Sequence, residues 1–308
     1  MQKVLVTGID GFVGRHVARE LAGNGFEIVG VGGPQGNSKL SDFVGQYFTT
    51  DLMDTEATRA IDFTDVTGVI HLAGLAAVGP SFQNPRQYMD TNAGIEINLF
   101  EAAQAQAVHP KFVIVSSGSL YDPKAALPIT ERSPMFPNSP YAVSKMAQEQ
   151  MARYYSSRGF EVVIARPFNH IGPGQNPGFI VPDLAQQVIA VERGEAAEVL
   201  VGNLDAKRDY TDVRDIARAY RLMLESGRNS EIYNICSGRS LSGHEILEHI
   251  LTAAGQHPTI TQDSARIRPS DTPDVYGSYH KLTADTGWQP AITLNQTMVD
   301  VIADWRNR

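Results

Sequence analysis

Val4-Leu5-Val6-Thr7-Gly8-Ile9-Asp10-Gly11-Phe12-Val13-Gly14, near the start of the chain, is the stretch whose reading decides the fold. Val4 to Val6 form a wholly apolar run, as expected of a strand buried on both faces of a parallel sheet. Gly8, Gly11 and Gly14 follow at three-residue spacing and lead into a helical pattern through Val17, Leu21 and Ala22. Glycines so placed permit a tight turn, close approach of backbone N–H groups to a pyrophosphate, and close packing of helix on strand. A dinucleotide-binding strand–turn–helix unit is therefore expected; a glycine turn without a ligand is the alternative that this position disfavours.

The same alternation continues outward. Glu27 to Val31 reads as the second strand and ends in Gly32-Gly33-Pro34. An acid at that spot binds the ribose hydroxyl of NAD, and a nearby arginine accommodates the 2′-phosphate of NADP. Neither marker stands there. The missing acid removes repulsion against a 2′-phosphate that Arg15 or Lys39 can reach, which favours NADP(H) over NAD(H); solvated surface is the competing role for both basic residues. Gln46-Tyr47-Phe48 is a short strand, after which Asp51 suits either an acceptor for the adenine amino group or a helix N-cap. Val69 to Gly74 is a buried strand ending in small residues, with His71 expected as a hydrogen-bonded core histidine. Asn84-Pro85 starts a long helix whose Asn92 lies on the apolar side, where an amide ties down a neighbouring loop. Lys111 to Val115 is the next strand, and Ser116, Ser117, Ser119 and Tyr121 lie at its carboxyl end, where ligands bind in open α/β sheets.

Ser139-Pro140-Tyr141-Ala142-Val143-Ser144-Lys145 begins a helix, with Ser139 as N-cap and Pro140 at the first helical position. Tyr141 and Lys145 then share one face. An ammonium beside a phenol favours phenolate and makes a proton-transfer pair, although the spacing alone also describes ordinary surface residues.

The composition, with 42% hydrophobic and 19% charged residues among 308, is that of a globular protein of one large or two modest domains. No apolar run reaches membrane-span length, and Met1-Gln2-Lys3 runs into a strand instead of a signal peptide, so a cytoplasmic protein without membrane association is expected. A formal charge of −8 argues against nucleic-acid binding. The single cysteine, Cys236, excludes an internal disulfide, and no metal-ligand pattern is present.

Thr7-Gly8-x-x-Gly11-Phe12-x-Gly14, Asp51-Leu52, His71-Leu72-Ala73, Ser116-Ser117 and Tyr141-x-x-x-Lys145 together resemble the extended short-chain dehydrogenase/reductase family. The resemblance implies a Rossmann-type doubly wound parallel α/β sheet with a smaller α/β substrate-binding domain. Residues 1–168 plus about 213–236 would bind NAD(P), and about 169–212 plus 237–308 a sugar nucleotide. Tyr141 is implied as general acid/base, Lys145 as its pKa modulator and a ribose ligand, and Ser117 as the hydroxyl partner of the substrate oxygen. Ser117 is preferred to Ser116 and Ser119 because the family's catalytic Ser/Thr stands four residues before the tyrosine that here is Tyr121. Cofactor contacts are implied for Gly8, Gly11, Phe12, Val13, Gly14, Arg15, Asp51, Leu52, Leu72, Ala73, Gly74, Asn92, Tyr141, Lys145 and Arg166. Asp122 departs from the family's usual glycine.

Arg166-Pro167-Phe168-Asn169-His170-Ile171-Gly172-Pro173-Gly174-Gln175 is similar to the corresponding loop of GDP-4-keto-6-deoxy-mannose reductases, and Val201 to Asp215 to that group and to GDP-mannose dehydratases. This implies Gly202 and Asn203 near the guanine, Arg208 and Arg268 on the diphosphate, and Asn169 on the sugar or its phosphate. Two arginines from separate segments suit a bidentate phosphate clamp; ion pairs with Asp209, Asp212, Asp215 or Asp271, and an Asx-turn at Asn169, are the competing roles. The activity so implied is NAD(P)H-dependent reduction of the C4 keto group of GDP-4-keto-6-deoxy-D-mannose to GDP-D-rhamnose. A dehydratase needs a glutamate where this chain has Ser119. A 4-epimerase uses the same Ser-Tyr-Lys set and stands second, whereas cofactor-sensing regulators commonly lose the Tyr or Lys. The family also suggests a homodimer through the helices after Asn84 and from Tyr141; the spacing of Ala93, Ile97 and Phe100 would allow it, and core burial explains them equally well.

Overall fold

The computed structural model describes residues 2–34, 43–266 and 274–308. The apolar runs become strands β1 (Lys3–Thr7), β2 (Glu27–Gly32), β3 (Gln46–Thr49), β4 (Val66–His71), β5 (Lys111–Val115) and β6 (Val162–Pro167). Next come β7 (Asn169–Ile171), β8 (Glu198–Val201), β9 (Lys207–Asp212), β10 (Ile232–Ile235), β11 (Ser240–Ser242), β12 (Thr259–Gln262) and β13 (Asp274–Val275). The large sheet has the order β10-β6-β5-β4-β1-β2-β3, and all its pairs are parallel. The chain runs from β1 outward to β3 and then returns to place β4 on the other side of β1. That reversal makes the carboxyl ends of β1 and β4 the switch point where ligands bind in open sheets, and Thr7 pairs in register with His71 there.

Successive residues of β1 feed opposite layers, as the two-residue repeat of a strand requires. Val4 and Val6 pack with Val17 and Leu21 of helix Phe12–Gly23 and with Ile216 and Tyr220 of helix Val213–Ser226. Leu5 packs on the other face with Leu99 of helix Pro85–Ala105 and Ala152 of helix Pro140–Ser156. A third core joins helices Ile180–Glu192, Gly243–Ala254 and Leu294–Arg306 to Val199 and Leu241. Its sheet has the order β11-β9-β13, with β7 beside β9, and β12 pairs with β8. Ser242 and Glu245 close a capping box at the start of Gly243–Ala254. No described helix is long and apolar enough to cross a membrane.

One expectation changes. Leu282 and Trp288 belong to the first core, with Trp288 Nε1 donating to the Asp215 carbonyl at 2.9 Å, so this part of the 237–308 segment packs on the large sheet. Of the two roles open to Phe100, core burial is the one observed: it is fully buried, with ring centroids 4.1 Å from Phe112 and 4.3 Å from Tyr155. Ala93 and Ile97 are half-buried.

Candidate active site

The glycine turn is shaped by backbone contact. Gly8 has φ +65°, and a Cβ there would lie 2.9 Å from the Ala73 nitrogen, while one on Gly14 would overlap the Gly8 carbonyl oxygen. Helix Phe12–Gly23 starts from Gly11 with no side-chain cap hydrogen bond, so its first N–H groups present the positive end of the helix at the switch point. Thr7 Oγ1 accepts from the Leu72 and Ala73 nitrogens at 3.1 Å each, joining the turn to the end of β4. A cradle closed to side chains beside an uncapped helix start fits the pyrophosphate of a dinucleotide. His71 is a core residue, 2.8 Å from Thr7 Oγ1, and burial drives its pKa down to about 3.

Asn92 acts on this cleft through a loop. Its Oδ1 accepts from the Leu75 nitrogen at 2.8 Å and its Nδ2 donates to Ser144 Oγ at 2.9 Å. A Cβ on Gly74, φ +145°, would meet Asn92 Oδ1 at 2.7 Å. Asp51 closes an Asx-turn, accepting from the Met53 nitrogen at 2.9 Å; the N-cap of the next helix is Asp54. Arg15 is exposed on helix Phe12–Gly23, and Lys39 lies outside the described residues.

Ser139 accepts from the Ala142 nitrogen at 3.1 Å and starts Pro140–Ser156 as its sequence requires. Tyr141 and Lys145 are each 7% exposed, so both are shielded from bulk water. Lys145 Nζ donates to the Val115 carbonyl at 2.9 Å and to Gln148 Oε1 at 2.8 Å, and lies 6.0 Å from the centre of the Tyr141 ring. The expected lowering of the phenol by Lys145 is not what the geometry produces. Burial raises the Tyr141 pKa, the Ser117 hydroxyl opposes that shift, and Lys145 is not among the causes. Lys145 itself is lowered by burial to about 8, against the opposing charge of Glu96. A neutral phenol beside a hydroxyl can give a proton to a developing alkoxide. Ser117 Oγ is 2.8 Å from Ser119 Oγ.

Next to these residues is a polar layer whose members Glu149, Glu96 and Gln148 sequence reading missed. Arg166 is 1% exposed and forms a fork with Glu149, Nε to Oε1 at 2.7 Å and Nη2 to Oε2 at 2.6 Å. Its guanidinium covers the Tyr121 ring at 4.8 Å, and Ser116 Oγ donates to the same Glu149 at 2.6 Å. Arg166 is thus held in place by Glu149 through Nε and Nη2, while its Nη1 is buried without a hydrogen-bond partner among the described residues. Glu96 is fully buried, and neither carboxylate oxygen has a hydrogen-bond partner among the described residues. Burial raises its pKa well above the usual range, opposed by Lys145. Gln148, Glu149 and Glu96 were visible as polar residues one turn from Lys145 or Asn92 on otherwise apolar helix faces.

Asn169 is exposed on β7, opposite Tyr210 of β9. A Cβ on Gly202 would overlap the Arg266 carbonyl oxygen, so that glycine is needed for close backbone approach. Asn203 Oδ1 accepts from the Asp205 nitrogen at 2.8 Å in an Asx-turn. Arg208 on β9 donates to the Lys207 carbonyl at 2.7 Å. Asp209 accepts from Ser237 at 2.7 Å, while Asp212 pairs with Arg214 at 2.8 Å and Asp215 with Arg218 at 2.6 Å. Arg268 and Asp271 lie outside the described residues. His170 stacks on Phe12 at 6.1 Å, and His16 Nε2 lies 2.9 Å from the Pro173 carbonyl oxygen, so the 169–175 loop is docked on the glycine-turn helix. Asp122 Oδ1 accepts from the Lys124 nitrogen at 2.9 Å, an Asx-turn that accounts for an aspartate there.

The family model for GDP-mannose 4,6-dehydratase matches residues 5–301. The chain is 35% identical to the GDP-6-deoxy-D-mannose reductase of Pseudomonas aeruginosa, over 100% of this chain and 98% of that protein. A structure of RMD from Pseudomonas aeruginosa complexed with NADPH superposes with a TM-score of 0.90 at 32% identity, covering 100% of this chain and 99% of that one. The UDP-glucose 4-epimerase of Thermus thermophilus, in complex with NAD, superposes at 0.85 with 30% identity, covering 99% of each chain. A parallel sheet with its glycine turn at the switch point, matched end to end by these proteins, places the chain in the GDP-mannose 4,6-dehydratase family, among the extended short-chain dehydrogenases/reductases that depend on NAD(P).

Proposed function

We propose that this chain reduces the C4 keto group of GDP-4-keto-6-deoxy-D-mannose to GDP-D-rhamnose with NAD(P)H. The observation that carries the choice within the family is Ser119. A 4,6-dehydratase needs a carboxylate there to move a proton at C5, and here a neutral hydroxyl stands 2.8 Å from Ser117 Oγ. The full-length likeness to a GDP-6-deoxy-D-mannose reductase supports the same reading.

Bound in the cleft, a reduced nicotinamide supplies hydride for the C4 carbonyl carbon. Tyr141 gives its proton to the oxygen as negative charge grows there, and Ser117 donates a hydrogen bond to the same oxygen. The raised phenol pKa keeps that proton in place until the alkoxide forms. Lys145, held by Val115 and Gln148, puts a positive charge beside the phenolate that remains. Gly202 and Asn203 would lie by the guanine, Arg208 and Arg268 by the diphosphate, and Asn169 by the sugar.

Residues 1–168 with about 213–236 would carry the cofactor, and most of 169–212 with 237–308 the sugar nucleotide. The protein would work as a cytoplasmic homodimer, a compartment in accord with the free buried thiol of Cys236. An open apolar groove lined by Pro85, Met89, Pro140 and Val143 runs between the starts of the two helices expected at the dimer face. The missing acid after β2 favours NADP(H) only if no carboxylate reaches the end of that strand from elsewhere in the fold.

A 4-epimerase is the second reading, since the epimerase of similar fold binds NAD and needs no carboxylate at Ser119. Mixing the enzyme with NAD(P)H and GDP-4-keto-6-deoxymannose separates the two. Reduction consumes one cofactor per product and the nicotinamide absorbance decays; a steady absorbance in the presence of turnover would favour the epimerase.

A further inference from the structure

The end of β2 lacks an acid in sequence but has one in space. Asp10 lies in the glycine turn, and its Oδ2 accepts a hydrogen bond from the Tyr47 hydroxyl of β3 at 2.5 Å. A Cβ built on Gly32, the last residue of β2, would overlap both that Oδ2 and the Tyr47 oxygen. The Asp10 carboxylate therefore fills the volume into which a side chain at Gly32 would project. Its second oxygen, Oδ1, is buried without a hydrogen-bond partner among the described residues. Tyr47 stays a donor, because burial and the neighbouring Asp10 push its pKa up to about 12.

The end of β2 is where the acid of an NAD-type site meets the adenosine ribose. A carboxylate delivered there from the glycine turn does the same chemistry: an unpartnered oxygen can accept from the 2′-hydroxyl, and its charge repels a 2′-phosphate. Gly32 and Asp10 are then complementary, since any side chain at position 32 would displace the carboxylate. We propose that Asp10, oriented by Tyr47, reads the adenosine ribose and makes this chain prefer NAD(H) to NADP(H). The proposal rests on the dinucleotide reading of the cleft. It reverses the argument from the bare Gly32-Gly33 sequence, and it separates this chain from the relative whose structure holds NADPH.

The test is direct binding, by isothermal titration of purified protein with NADH and NADPH, on wild type, Asp10→Asn and Asp10→Ser. Wild type should bind NADH about tenfold or more tightly than NADPH, the scale of one charge-assisted hydrogen bond. Both variants should bring the two dissociation constants together, mainly by tightening NADPH. A wild type that binds NADPH as tightly as NADH would overturn the proposal without any variant, and so would an unchanged ratio in a folded Asp10→Asn protein. Binding of neither nucleotide by wild type would overturn the dinucleotide reading and this proposal with it.

Discussion

Lys145 Nζ donates to Gln148 Oε1 at 2.8 Å, one helix turn on. This bond and the one to Val115 hold the ammonium in a site where burial has lowered its pKa from 10.5 to about 8. The charge is present below that value and lost above it, so kcat for reduction should fall as pH rises through about 8. Gln148→Leu removes an acceptor from the charged form, which lowers the Lys145 pKa further. The alkaline limb of the kcat profile should then move to lower pH, and an unmoved limb would show that Gln148 has no hold on the ammonium.

Tyr141→Phe keeps the ring and removes the proton. Turnover should fall by about 10²- to 10⁴-fold, the usual contribution of a positioned acid, while NAD(P)H binding measured by titration stays near wild type. Ser117→Ala should cost about 10²-fold or more in kcat through loss of a donor to the forming alkoxide. Turnover near wild type in either variant would remove that residue from the mechanism.

The Arg166–Glu149 fork is closed to solvent on both sides. Removing one partner leaves the other charge buried and alone, which costs about 3–5 kcal/mol. Glu149→Leu should therefore lower unfolding stability by that amount in urea titrations, with Ser116 losing its acceptor as well. A change below about 1 kcal/mol would mean that water reaches Arg166 once Glu149 is gone.

Glu96 has a folded pKa raised above its ordinary 4.5. Its contribution to stability is present below about 4.5 and is lost as pH rises through the folded value. Glu96→Gln has no proton to lose there. The variant should gain on wild type in melting temperature as pH rises above about 4.5. A pH-independent difference would show that Glu96 keeps one protonation state in both folded and unfolded chains.

Much of this was legible in the chain. Val4 to Val6, Val69 to Ile70 and Phe112 to Val115 read as buried parallel strands because both faces of the sheet are covered, and Ser139-Pro140 marks its helix start by local backbone chemistry. What was not legible depends on distance in space. Asp10 and Gly32 meet only because β1 and β2 pair in register; nothing in Gly32-Gly33 announces a carboxylate from the preceding turn. Arg166 reads as a cofactor contact, and nothing near it in sequence announces the buried ion pair that Glu149, on another element, makes with it. The phenol of Tyr141 is raised instead of lowered because its burial outweighs the Ser117 hydroxyl, while the Lys145 ammonium is turned to Val115 and Gln148. Trp288 sits in a tail that sequence order assigns to the smaller lobe, yet its indole is anchored at Asp215.

Hydride delivery to C4 with Tyr141 as the proton donor is tested most directly by isotope transfer. NAD(P)H deuterated on the transferred face is supplied with GDP-4-keto-6-deoxymannose, and the label is located in the product by NMR. One deuterium is expected on C4 of GDP-rhamnose for each cofactor oxidised, with almost none formed by Tyr141→Phe in the same time. Product without deuterium at C4, or formed without cofactor oxidation, would contradict this mechanism.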